Sequence, residues 1–149
     1  FGRNVPLHLH HQLTMLTNVE HLGIAVKSLV ASDELFTKLF NVTPYKHEEV
    51  ASEGVITSFF KINQTKIELL EATNPDSPIA KFVEKKGEGI HHIAFEVDDI
   101  LSEMERLKNE GFVLLNEAPK NGADNKLVCF LHPKGTNGVL IELCQEKKD

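Results

Sequence analysis

The sequence predicts an α+β fold in which two tandem βαβββ units form one cupped mixed sheet, with the helices outside. Two observations carry this prediction. The strand-like alternation of EHLGIAV gives way to a helical spacing of apolar residues and then to three short strands, and the same order of elements begins again at IHHIAFEV. With 149 residues, 41% of them hydrophobic, the chain suits one compact domain with a sizeable core.

The first unit spans about residues 18–72. From Val19, Leu22, Ile24 and Val26 fall on one face of a strand, and His21, Gly23 and Ala25 fall on the other. Leu29, Leu35, Phe36, Leu39 and Phe40 then recur at roughly helical spacing, with Ser28 or Ser32 placed to cap the helix. Strands are expected around TPYKHEEV, VITSFFKI and TKIELLE, separated by Ser-Glu-Gly and Asn-Gln turn signals.

A loop and short helix through ATNPDSPIAKFVEKKGEG lead into the second unit, about residues 89–146. Its helix is well marked. Asp98 or Asp99 caps it, Ile100, Leu101, Met104 and Leu107 form its apolar stripe, and Gly111 ends it. FVLLN, KLVCFLHP and GVLIELCQ supply the last three strands.

The net charge of −6 comes without any basic cluster, so the electrostatic footprint for nucleic acid or an anionic membrane is missing. A small molecule is the expected partner. No apolar run reaches the roughly 18 residues that span a bilayer, which predicts a soluble, cytoplasmic protein. Cys129 and Cys144 lie inside apolar runs and read as buried free thiols. Residues 1–14 lack periodicity and acids and read as an appended leader before a single domain over 15–149; His8, His10 and His11 are excluded from the site with it.

The pair His91-His92 stands at the start of an apolar run. Aligning the two units matches Leu22, Ile24 and Val26 with Ile93, Phe95 and Val97, so His92 is the counterpart of His21. Adjacent strand residues point to opposite faces. His91 is therefore expected on the helix-packed face, as a structural histidine. The last strand of each unit carries an acid in an apolar setting, Glu68 and Glu142, which follow His21 and His92 by 47 and 50 residues.

Buried carboxylates without partners would rise in pKa and cost several kcal/mol, whereas a divalent cation would hold them ionised. A metal site inside the cup explains all four residues together. Two imidazoles with two carboxylates suit Mn²⁺, Co²⁺, Ni²⁺, Fe²⁺ or Zn²⁺, with positions left open for water or substrate.

The repeated βαβββ unit, with His on its first strand and Glu on its last, resembles the vicinal-oxygen-chelate, or glyoxalase-like, superfamily. Within it, VEHLGIAV, ELLEATNPDSPIAKFVEKKGEGIHHIAFEVDDI and FLHPKGTNGVLIEL are similar to segments of the methylmalonyl-CoA epimerase family, over nearly everything from residue 18 to residue 145. The resemblance implies metal ligands at His21, Glu68, His92 and Glu142, one divalent ion (Co, Mn, Ni or Zn), an acyl-CoA substrate and a homodimer. Some members have glutamine at the position of Glu68, and some have a glutamate, proposed as an acid/base, where this sequence has Thr57.

The reaction so implied is epimerisation of (2R)- and (2S)-methylmalonyl-CoA, by proton removal and return through an enolate that a divalent ion stabilises. Inversion needs proton exchange on two faces. Glu142 is the first candidate for that work and Glu68 the symmetric one, with Glu49 and Glu53 as outside candidates. Lys134, beside His132 and Pro133 in the turn before the last strand, is placed to meet a carboxylate or phosphate. The alternatives are a lactoylglutathione lyase of the glyoxalase I type, a ring-cleaving dioxygenase using His21, His92 and Glu142, and a metal-free binding module of the same fold.

Overall fold

The computed structural model describes residues 16–148; residues 1–14, expected to be a leader, lie outside the described residues with His8, His10 and His11. Eight strands and three helices follow in the order β1 (Leu16–Ala25), α1 (Leu29–Phe40), β2 (Lys46–Val50), β3 (Val55–Ile62), β4 (Thr65–Ala72), α2 (Pro78–Lys86), β5 (Gly89–Val97), α3 (Ile100–Asn109), β6 (Lys120–Asn121), β7 (Lys126–Leu131) and β8 (Ile141–Glu146). They make one sheet ordered β2-β3-β4-β1-β5-β8-β7-β6. β1 and β5 pair antiparallel at its centre, and each pairs in parallel with the last strand of its own unit, β4 or β8. The tandem repeat is thus a repeat in space as well as in sequence.

The two long helices cover the convex face. Ser28 caps α1 by accepting a hydrogen bond from the Ala31 N–H at 3.2 Å, and Asn41 ends it in the left-handed region. Leu29, Phe36 and Phe40 pack on Phe60 and Leu69. Leu35 and Leu39, expected on that stripe, are 61% and 68% exposed. The inward line instead runs Leu29, Ser32, Phe36 and Phe40, because positions three and four apart share a helix face and Leu35 and Leu39 fall beside it. In α3, capped by Asp99, Ile100, Met104 and Leu107 are buried against Leu131 and Leu143, while Leu101 turns out to solvent. The shorter α2, capped by Ser77, sets Ile79 against Ala25, Val55 and Leu70 at one end of the concave face.

The expected strand FVLLN does not form. Leu114 makes an isolated bridge to Leu131, and beyond it the Asn116 side chain, not a backbone carbonyl, accepts the Phe130 N–H at 2.9 Å. Pro119, which has no N–H to donate, precedes the short β6 that completes the unit. Across the open mouth of the cup, Asp124 in the β6–β7 turn meets Lys46 of β2 and Lys66 of β4, each at 2.6 Å, and Lys120 of β6 meets Glu53 at 2.6 Å. These pairs draw the two ends of the sheet together. Among the described residues no helix is long and apolar enough to cross a membrane.

Candidate active site

The concave face encloses a cavity of about 290 Å³ whose lining includes His21, Glu68, His92 and Glu142. Each of the four is buried, between 4% and 6% exposed. The central strands set the histidines face to face: Gly23 of β1 lies opposite His92 of β5. A Cβ at Gly23 would stand 2.2 Å from the His92 ring, so only glycine leaves room for the imidazole. The two Nε2 atoms share a hydrogen bond at 2.9 Å.

Glu142 reaches both rings, with its oxygens 3.3 Å from His92 Nε2 and 3.6 Å from His21 Nε2. One ligand atom from each of His21, His92 and Glu142 lies within 4.8 Å of the others. Glu68 stands apart from this group. It faces the opposite edge of His21, with Oε2 at 3.1 Å from Nδ1. The expected set of four therefore resolves into three convergent donors and one carboxylate across the ring.

Two bulges shape the site. Between Val19 and His21, β1 gains a residue against consecutive partners on β5, and between His92 and Ile90, β5 gains one against consecutive partners on β1. The first brings Glu20 beside its neighbour His21, with Oε1 at 2.9 Å from Nδ1. The second brings His91 to the cavity wall beside His92, Nδ1 to Nδ1 at 2.9 Å, with its ring edge-on to Phe82 of α2. The expectation that two adjacent histidines cannot line one pocket fails here, because strict alternation holds only in an unbulged ladder.

Glu20 was not expected in the site, since alternation assigns it to the other face. It is 5% exposed and holds Lys66 at 2.9 Å through its second oxygen. Burial opposes its ionisation, yet hydrogen bonds from His21 and Lys66 bring its pKa down to about 2. Burial likewise opposes a charged His21, but Glu68, Glu142 and Glu20 lift it to about 10. Glu68 is pushed up to about 7, chiefly by burial. His92, buried beside His21 and His91, stays well below the ordinary range, and burial with the Lys86 charge lowers His91 to about 4.

Thr57 is 1% exposed and lines the cavity, but carries no titratable group there. Glu49 is exposed on β2 and stands outside the cavity wall. Glu53 sits at the rim, engaged by Lys120. His132 caps the turn that follows it by accepting the Lys134 N–H at 3.1 Å, and Lys134 is exposed. Both cysteines are buried free thiols.

The donors suit a divalent cation. Three carboxylates, Glu20, Glu68 and Glu142, are buried around His21 with one lysine, Lys66, at their edge. Two imidazole nitrogens and a carboxylate oxygen converge beside them, a mixed N/O set fitting borderline divalent metals. A site with this donor set on a paired βαβββ sheet defines a class. Residues 20–130 match the Glyoxalase/Bleomycin resistance protein/Dioxygenase superfamily, and the chain belongs to it.

Among relatives, the ethylmalonyl-CoA/methylmalonyl-CoA epimerase of Cereibacter sphaeroides is 41% identical over 133 residues, covering 88% of this chain and 99% of that protein. A variant of the Streptomyces coelicolor methylmalonyl-CoA epimerase, solved with 2-nitronate-propionyl-CoA, superimposes with a TM-score of 0.86 at 33% identity, over 89% of this chain and 96% of that one. A methylmalonyl-CoA epimerase solved with methylmalonyl-CoA and NH4+ gives the same four figures. Within the superfamily this chain is an enzyme of the methylmalonyl-CoA epimerase family, which places it among the isomerases.

Proposed function

We propose that this chain interconverts the 2R and 2S epimers of methylmalonyl-CoA by removing the proton on C2 and returning one to the opposite face. The observation that carries the reading is the placement of Glu68 and Glu142 at opposite edges of the His21 ring, 3.1 Å from Nδ1 and 3.6 Å from Nε2, within one cavity. Inversion requires proton-transfer groups on two sides of the reacting carbon. Thr57 leaves that work to these two carboxylates.

In the metal-free protein burial raises Glu68 to about 7, toward the neutral range in which a catalytic acid or base is most effective. Glu142 has two oxygens, so one is free for a proton when the other is engaged by the histidines. Glu20 and the Lys66 ion pair behind it hold His21 by its Nδ1 edge and direct Nε2 toward His92. The buried walls exclude water from the carbanion-like intermediate and so limit its non-stereospecific quenching.

His21, His92 and Glu142 are the residues that would hold a divalent ion, Co, Mn, Ni or Zn; Glu68, which the resemblance implies as a fourth ligand, stands across the His21 ring from them. Such an ion supplies Lewis-acid stabilisation of the charge that develops on the thioester and carboxylate oxygens, by several kcal/mol. The family resemblance also implies a homodimer, which sedimentation velocity measures directly.

The test follows solvent deuterium into the 2-position of methylmalonyl-CoA by NMR, for metal-loaded protein, chelated protein and the His92→Ala variant. Exchange with interconversion of the two epimers is expected in the first sample and lost in the other two. A folded, metal-loaded sample with no exchange would sink the epimerase reading.

A further inference from the structure

One charged side chain of the cavity takes no part in the site described so far. Lys126 opens β7, and pairing with β8 sets Lys126, Val128 and Phe130 opposite Glu146, Cys144 and Glu142. Lys126, Val128 and Phe130 all line the cavity with Glu142, as alternation along one strand face requires. Lys126 is 6% exposed. Among the described residues its side chain forms no ion pair and no hydrogen bond. The neighbouring lysines are all engaged: Lys120 by Glu53, Lys66 by Glu20 and Asp124, and Lys46 by Glu48 and Asp124.

The stem of Lys126 is buried along the strand, but its Nζ is not among the buried polar atoms left without a partner, so the ammonium keeps an accessible surface that it can offer to a ligand. The geometry points to Lys126 as the group that binds the free carboxylate of a 2-carboxyacyl thioester, an inference that rests on the epimerase reading above. The cup already holds the carboxylates of Glu20, Glu68 and Glu142, which would repel an anionic acyl group. Among the described residues, Lys126 is the lysine of the cavity wall that no acid of the protein pairs with, and it would act beside the divalent ion that His21, His92 and Glu142 would hold. Held there, the substrate carboxylate is screened when proton removal adds negative charge at the neighbouring carbon. Lys126 therefore selects carboxylated acyl thioesters over plain ones.

The experiment is calorimetric titration of wild type, Lys126→Met and Lys126→Arg with methylmalonyl-CoA and with propionyl-CoA, which lacks the carboxylate. Wild type is expected to prefer methylmalonyl-CoA. Lys126→Met is expected to lose about 30-fold or more in affinity for methylmalonyl-CoA, the scale for removing one partner of a buried charge pair, with propionyl-CoA binding unchanged. Lys126→Arg keeps the charge and most of the preference, and shows that the position tolerates replacement.

Equal losses for both thioesters, or no loss for methylmalonyl-CoA, overturn the assignment. Carboxylate-selective binding that depends on Lys126, in a protein that exchanges no C2 proton, supports the assignment while the epimerase reading fails. The two ideas thus fail separately.

Discussion

His21 and His92 meet edge to face across the centre of the sheet, their ring planes 89° apart and their Nε2 atoms 2.9 Å from each other. This approach joins the two halves of the repeat where β1 and β5 pair, with His21 opposite Ala94 and Gly23 opposite His92. It depends on Gly23, which lies opposite His92 and presents no side chain to it.

Gly23→Ala tests that dependence. The added methyl would collide with ring atoms of His92 at 2.2–2.8 Å, so the imidazole must swing away. Overpacking of this kind costs about 1–3 kcal/mol, and a displaced ligand is expected to lower metal affinity by about 10–100-fold. Bound cobalt followed by its visible spectrum, beside a urea unfolding curve, separates the two effects; unchanged cobalt binding would argue against this geometry.

The Glu20–Lys66 pair is the next target. Glu20 is buried and Lys66 nearly so, so removing the lysine strands a charge. Lys66→Met is expected to destabilise the fold by about 3–5 kcal/mol. Adding Glu20→Gln should recover part of that loss, since the stranded charge is then gone. A double-mutant cycle in denaturant reads the coupling, and strictly additive losses would show that the pair is not coupled.

Protein stripped of metal should lose stability at alkaline pH. His21 titrates near 10 when folded against 6.5 ordinarily, so the folded state binds that proton more tightly. The resulting stabilisation is fully present below pH 6.5 and is lost as pH rises from 6.5 to 10. Glu68, raised from 4.5 to about 7, has the same sign and is lost between those values. Because Glu68 is itself a cause of the His21 shift, Glu68→Gln should flatten the alkaline arm. Urea midpoints across this pH range measure it; an unchanged slope in the variant would count against the His21–Glu68 interaction.

Glu142→Gln and Glu68→Gln are each expected to lower the rate of epimer interconversion by about 10²–10⁴-fold, the usual contribution of a positioned acid or base. With one carboxylate per face, each variant should still wash deuterium into one epimer and not the other. Symmetric loss of exchange from both epimers would instead assign one mobile group to both faces.

Much of this was legible in the chain. The βαβββ order, its repetition and the matched positions His21/His92 and Glu68/Glu142 all follow from local patterns of period 2 and 3.6, whereas each cap was narrowed only to a pair, from which the structure takes Ser28 over Ser32 and Asp99 over Asp98. FVLLN misled because its apolar residues do pack, Phe112 and Leu114 against the α3 core, but the ladder there is reduced to a single bridge. Lys126 left a weak trace: it shares parity with Val128 and Phe130 in KLVCF, although which face that parity meant needed the register with β8.

By itself, the sequence determined the two units, their helices and the residue types at the first and last strand of each, because those depend on contacts within a few residues. Tertiary structure alone decided which of them share a space. Register between β1 and β5 created the two bulges that turn Glu20 and His91 into the cup. Curling of the sheet placed Glu68 and Glu142 on opposite edges of one imidazole. Both are consequences of pairing between strands distant in the chain, where one unpaired residue reverses the face of its neighbour and no local pattern records it.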